Sequence, residues 1–160
     1  MATFIDTITP DIREFIIKQN LFFVSTAPTD AGEVNLSPKG YDTLKIIGET
    51  KIFYLDYYGS GNETAIHLKQ NKKITFMWCS FEETPLILRV FGRGKVLDKG
   101  TEEFYTALNE QFSGYEERIV RQIFEIEVIS VQKSCGWGVP FMKFINDRTE
   151  LDDMSKMHLT

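Results

Sequence analysis

The sequence predicts an α+β protein of mainly β structure, a six-stranded barrel with short connecting helices. About six runs rich in aromatic and β-branched residues follow one another along the chain, and only three segments have helical periodicity. With 160 residues, 42% of them hydrophobic, the chain can bury a core as one domain, residues 1–160. A barrel would remove the strand edges that an open six-stranded sheet exposes.

The charge balance excludes several classes of partner. The chain has 18 Lys and Arg against 23 Asp and Glu, a net charge of −5. Because nucleic acids and anionic membranes attract concentrated positive charge, we expect neither as a partner. The first residues lack a basic signal region and no apolar stretch approaches the roughly 18 residues that span a bilayer, so we expect a soluble, cytoplasmic protein. Cys79 and Cys135 are too few for a disulfide framework and are expected to be reduced.

Three segments carry the signals of short helices. Thr9 supplies a capping hydroxyl before Pro10, and proline is favoured at the first helical position. A second helix is predicted over residues 60–69, and a third from Thr101, its expected cap, to residue 112. The polar tail, residues 141–160, is expected to fray or to wrap a neighbouring subunit.

The β-type runs surround these helices. Residues 21–26 and 33–37 are separated by a Gly-containing turn, which predicts a hairpin. The other runs cover residues 51–57, 73–80, 86–97 and 122–132.

Glycines separate the third β-type run from the second helix. Such a junction can present several backbone N–H groups to one anion. The candidate contacts are Ser60, Gly61, Asn62 and Thr64. Ser60 and Glu63 have capping-box spacing, whereas Asn62 would cap a helix that starts later. The alternative is an ordinary strand–turn–helix connection with routine capping.

Two cationic segments could supply charge to such a site. Ser37 and Lys39 stand on either side of a proline, so the second run must end there or lie at the edge of the sheet, and a lysine there could contact a phosphate. Arg89, Arg93 and Lys95 would share one face of a later strand if no bulge intervenes, with Arg89 as the candidate contact. The alternative for both segments is a solvated surface.

Trp137 lies between two glycines directly after the last run. The glycines permit close backbone approach and leave the indole room to lie against a flat ring. The alternative is a hydrophobic plug at the barrel end or a subunit interface. His67, on the second helix, is too far in sequence from the other histidine to predict a metal site and is expected to be structural or exposed. No catalytic residue is assigned.

In this order the segments resemble the pyridoxamine 5′-phosphate oxidase-like family, the flavin-binding split β-barrels, over roughly residues 15–137. The matching segments are residues 22–26, 35–40, 53–56, 59–64, 72–76 and 89–92. The resemblance implies a six-stranded antiparallel split barrel and a homodimer with two flavin mononucleotide (FMN) sites at the subunit interface. It also implies that Ser37, Lys39, the 60–64 turn and basic residues such as Arg89 face the cofactor.

The same resemblance implies an FMN-dependent oxidoreductase of a small molecule, in which the flavin supplies the redox chemistry. Members that oxidise pyridoxamine phosphate have an Arg-Lys pair where this sequence has Glu63-Thr64, so that substrate is not expected. Two alternatives stay open: a non-catalytic flavin-binding or carrier module with the same barrel, and an apo dimeric interaction protein. A deazaflavin is the alternative cofactor.

Overall fold

Eight strands form one antiparallel sheet in the computed structural model of the chain, which describes residues 2–151 and 153. They are β1 (Thr3–Ile5), β2 (Phe22–Thr26), β3 (Asn35–Lys39), β4 (Leu44–Ile47), β5 (Lys51–Tyr57), β6 (Lys73–Cys79), β7 (Ile87–Asp98) and β8 (Val120–Ser134). Their order is β3-β2-β6-β7-β8-β5-β4, and β1 pairs with β8. The sheet curls into a split barrel, which confirms the predicted fold class.

The predicted number of six strands is too low, because two short strands escaped the sequence pattern. β1 has only three residues, of which Thr3 and Phe4 are exposed, and β4 has only four. Neither is long enough to show the two-residue alternation from which a strand is predicted. The other six strands correspond to the predicted runs, and β2 and β3 form the predicted hairpin with Val24 opposite Ser37.

The three predicted helices are confirmed as α1 (Pro10–Ile17), α2 (Glu63–Asn71) and α3 (Glu102–Gln111). A short 3-10 helix, Glu117–Ile119, precedes β8. Thr101 caps α3 as predicted, accepting a hydrogen bond from the Phe104 amide at 3.2 Å. α2 begins later than predicted, with Asn62 at the N-cap, so that the capping box of Ser60 and Glu63 does not form. None of the helices in the described residues is long and apolar enough to cross a membrane.

Two hydrophobic clusters hold the helices against the sheet. The larger cluster joins α1 and α2 to the inner faces of the central strands and contains Trp78, Tyr54 and Phe76, all fully buried. The second cluster packs α3 against β5, β7 and β8 through residues such as Phe104 and Ile123. β5 and β8 contribute side chains to both clusters, so packing stabilises both faces of this strand pair.

A β-bulge interrupts the pairing of β7 with β8. Phe91 is opposite Ser130 and Gly92 is opposite Val128, so Ile129 on β8 is the extra residue. The alternation on β7 itself continues through the bulge, and the predicted common face of its three basic residues is confirmed. Both cysteines are free, as predicted, with Cys79 buried and Cys135 exposed.

After β8 the polypeptide returns along the surface of the same chain. The Met142 amide donates to the Phe81 carbonyl at 3.2 Å, and the Tyr41 hydroxyl donates to the Arg148 carbonyl at 2.6 Å. Residues 152 and 154–160 of the predicted tail lie outside the described residues.

Candidate functional site

A polar cavity of about 360 Å³ lies between the ends of β3 and β5 and the first turn of α2. We call it the β3–α2 cavity. It is lined by Asn35, Ser37, Lys39, Asp56, Tyr57, Gly59, Ser60, Gly61, Asn62, Glu63 and Thr64. Hydroxyl, amide and charged groups dominate this lining, so the cavity suits a ligand with many hydrogen-bonding groups.

β3 places three polar side chains toward this cavity. It is an edge strand, which is why Pro38, having no N–H to donate, is tolerated there. Side chains alternate along a strand, and Asn35, Ser37 and Lys39 therefore share the half-buried face, while Leu36 is exposed. The Lys39 ammonium lies 6.0 Å from the centre of the buried Tyr54 ring.

Arg121 of β8 fixes the glycine-containing loop before α2. Its two terminal nitrogens donate to the carbonyl oxygens of Gly59 and Gly61, each at 2.5 Å. The guanidinium carbon also lies 5.6 Å from the centre of the Tyr58 ring. A planar fork of donors matches two carbonyls in this way, whereas a lysine could not. The loop is therefore held by a strand that is distant in sequence.

Asp56 forms a second link between β5, β8 and the loop. Gln122 donates from Nε2 to Asp56 Oδ2 at 2.9 Å and to Asn62 Oδ1 at 2.7 Å. Burial raises the pKa of the Asp56 carboxyl, while the hydrogen bond from Gln122 and the positive charges of Lys39 and Arg121 oppose that rise. Burial also raises the pKa of the Tyr54 hydroxyl well above its usual value.

A chain of side-chain hydrogen bonds runs from α2 to the cavity wall. The buried His67 Nδ1 lies 3.0 Å from Thr26 Oγ1. Asn35 donates from Nδ2 to Thr26 at 3.4 Å and to Thr64 Oγ1 at 3.0 Å, and accepts from the Ser37 hydroxyl at 2.8 Å. His67 is thus structural, one of the two expectations for it, and it supports three cavity-lining side chains through Thr26.

A second cavity, of about 220 Å³, adjoins the first and shares Lys39, Asp56, Tyr57 and Gly59 with it. Its other lining includes Tyr41, Tyr54, Tyr58 and Leu151. Aromatic walls of this kind suit a planar ring. We call it the tyrosine cavity.

The structure brings together six of the eight predicted cofactor contacts. Ser37, Lys39, Ser60, Gly61, Asn62 and Thr64 all line the β3–α2 cavity. The other two do not line it. Arg89 donates from Nη1 to Ser134 Oγ at 3.2 Å, and Trp137 is 84% exposed, which rules out the alternative of a plug within its own barrel.

The sequence analysis missed three residues that shape the site: Asp56, Arg121 and Gln122. A usable signal existed for Gln122, because it occupies an inward position in phase with Phe124 and Ile126, where a polar side chain needs a partner. Asp56 and Arg121 carried no such signal, since only the pairing of β5 with β8 brings them together.

Comparison with known proteins gives a family and a fold. The curated pyridoxamine 5′-phosphate oxidase family protein ustO of Aspergillus flavus is 33% identical over 156 residues, which cover 92% of this chain and 59% of that protein. The chain therefore spans less than two thirds of its relative.

Two solved structures share the fold. HupZ of Group A Streptococcus has a TM-score of 0.61 at 22% identity, with 78% of this chain and 91% of that chain covered. An FMN-binding protein of Syntrophomonas wolfei has a TM-score of 0.52 at 14% identity, with 82% of each chain covered. The sequence model of pyridoxamine 5′-phosphate oxidase matches residues 8–135. The chain belongs to the pyridoxamine 5′-phosphate oxidase family.

Proposed function

We propose that the protein binds FMN and is a flavin-dependent oxidoreductase of a small molecule other than pyridoxamine phosphate. The observation that carries this proposal is the convergence of six predicted contacts on the β3–α2 cavity. They come from two segments that are separated in sequence, the edge strand β3 and the loop that leads into α2. Family membership and the shared fold of an FMN-binding protein add support.

The donor set fits the polar chain of a flavin. Hydroxyls of Ser37, Ser60 and Thr64 and the amide of Asn62 match a chain of hydroxyl groups, and Lys39 is a cation for an anionic end. The adjoining tyrosine cavity offers aromatic walls to a ring.

The residues of this chain would bind and orient the cofactor. A bound flavin supplies hydride transfer, which no side chain can perform. Arg121 keeps the loop carbonyls of Gly59 and Gly61 in place, so the loop does not have to be ordered when the ligand binds. Tyr41 and Tyr57 would exclude water from the ring.

We further propose a homodimer in which the partner subunit completes the site with Arg89 and Trp137. An indole with 84% of its surface exposed, together with the exposed Phe141 and Ile145, favours burial against a second copy. We also propose that residues 1–160 form a single domain. The described part of the tail contacts its own chain through Met142 and Arg148, which does not favour the expectation that it wraps a partner.

The decisive experiment is a fluorescence titration of FMN with the purified protein and with Lys39→Ala. We expect micromolar binding and a weakening of at least tenfold in the variant. Lys73→Ala, which removes an exposed lysine from β6, is the matched control and should bind as the wild type does. Absence of binding to the wild type would favour an apo interaction protein and refute the proposal.

Reduction of the bound flavin by NADH or NADPH distinguishes an oxidoreductase from a non-catalytic flavin carrier. Anaerobic NADH or NADPH should bleach the absorbance of bound FMN if the protein is an oxidoreductase. Bound flavin that neither reductant bleaches would favour the non-catalytic module. A parallel titration with a deazaflavin decides between the two cofactors, and sedimentation of wild type and Trp137→Ala tests the dimer.

A further inference from the structure

The Glu63 carboxylate lies directly over the glycine-containing loop. A Cβ atom built on Gly61 would be 2.2 Å from Glu63 Oε2, so the side chain is folded back over Gly61 rather than extended into solvent. Glu63 is an exposed residue that lines the β3–α2 cavity. Among residues 2–151 and 153, its carboxylate has no hydrogen bond or ion pair. It is an acid of the cavity lining without a partner among the described residues.

The charges that line the cavity do not favour a dianion. Lys39 is the one cation among the described lining residues, and Asp56 and Glu63 are both acids. Arg121 stands behind the loop with its terminal nitrogens bonded to the two glycine carbonyls. A phosphate at the helix start would therefore lie beside the Glu63 carboxylate, while both terminal nitrogens of Arg121 already donate to the loop.

The same groups suit a neutral hydroxyl chain. A carboxylate accepts hydrogen bonds from hydroxyls and repels only anions. Ser37, Ser60 and Thr64 add hydroxyls that can donate or accept. The lining therefore distinguishes the two parts of a flavin tail: it matches the polyol, whereas at the phosphate the attraction of Lys39 is offset by the two acids.

We propose that Glu63 is a specificity-determining residue that weakens recognition of phosphate, so that the cavity binds a flavin through its ring and hydroxyl chain. This inference rests on the proposed flavin binding. It predicts that riboflavin, which lacks the phosphate, binds with an affinity within about tenfold of that of FMN.

The test measures dissociation constants of FMN and riboflavin for wild type, Glu63→Gln and Glu102→Gln. Glu102 is the matched control, because it is an exposed acid in the first turn of α3, away from the cavity. Glu63→Gln should tighten FMN about tenfold and change riboflavin less than twofold. The gain for FMN should shrink at high salt, since screening weakens the repulsion. Glu102→Gln should change neither constant.

Each other outcome overturns the inference. A wild type that prefers FMN to riboflavin by more than a hundredfold would show that the phosphate is well recognised. Equal effects of Glu63→Gln on both flavins, or no effect on FMN, would show that Glu63 does not act on the phosphate. In these cases flavin binding itself stands. Failure of both flavins to bind would instead refute the proposed function and this inference together.

Discussion

Thr26 Oγ1 lies 3.0 Å from His67 Nδ1, and this buried contact joins β2 to α2 behind the β3–α2 cavity. Asn35 also donates to the Thr26 hydroxyl, which therefore makes hydrogen bonds to both α2 and the edge strand β3. The wall of the cavity depends on a polar contact that lies outside it.

Removing that hydroxyl should lower stability. Thr26→Val keeps the side-chain shape but leaves buried polar atoms of His67 without a partner, and we expect a loss of about 1–3 kcal/mol in the free energy of unfolding. Urea unfolding measures it. Thr75→Val, in the neighbouring strand β6, removes a half-buried hydroxyl that makes no hydrogen bond within residues 2–151 and 153, and it should cost less than about 0.5 kcal/mol. Equal losses in both variants would contradict the assigned role of Thr26.

Arg121→Lys should loosen the loop while keeping the charge. A lysine cannot donate to the carbonyls of Gly59 and Gly61 in the same forked geometry, so we expect FMN to bind roughly tenfold more weakly. Isothermal titration gives the constant. Arg118→Lys, at an exposed ion pair with Glu116, is the control and should leave affinity unchanged. If Arg121→Lys had the wild-type dissociation constant for FMN, the positive charge at this position would be sufficient for binding and the forked hydrogen bonds would not be needed.

The free energy of unfolding of Asp56→Asn should rise relative to that of the wild type as pH rises. Burial raises the pKa of the Asp56 carboxyl above its ordinary value of 3.8, so the protonated carboxyl is favoured more in the folded than in the unfolded state. The contribution of this group is complete below pH 3.8 and is lost as pH rises through the folded pKa. Asparagine mimics the protonated form and avoids that loss. Urea unfolding of both proteins from pH 3 to 7 should show the difference growing with pH, and a constant or falling difference would contradict this.

Gly92→Ala should disturb the bulge between β7 and β8. A Cβ atom there would lie 2.4 Å from Ile126 Cγ2 and 2.8 Å from the Glu127 carbonyl oxygen. Overpacking of this kind costs about 1–3 kcal/mol, which thermal unfolding would detect. Gly114→Ala is the control, since nothing lies within 4 Å of the added atom. A variant as stable as the control would mean that the strands separate at little cost.

The sequence predicts the elements with strong local signals. The run at residues 51–57 is the strand β5 to the residue, because its aromatic and β-branched side chains are bounded by turn residues. Thr101 is the cap of α3 because the hydroxyl acts within one turn. β1 and β4 could not be predicted, since their pairing is set by partners elsewhere in the sheet.

In the candidate site, too, residues with a local sequence signal could be predicted and residues brought together by strand pairing could not. Ser60 to Thr64 form a local turn, and sequence reasoning placed them at the site. Gln122 and Asp56 are 66 residues apart and meet only because β5 pairs with β8. Arg89 lies on the expected face of β7, yet it contacts Ser134 rather than the cavity. A strand pattern gives the face of a side chain but not its position across a curved sheet.

The place of β8 in the sheet has a consequence for how the chain is made. β8 is the last strand in sequence, yet it pairs with β7, β5 and β1. Before β8 is synthesised, the nascent polypeptide holds two sets of strands that do not pair with each other, β3-β2-β6-β7 and β4-β5. Their facing edges carry unpaired backbone groups that invite contact with other chains. The sheet is therefore completed only when this fifteen-residue strand docks between the two sets.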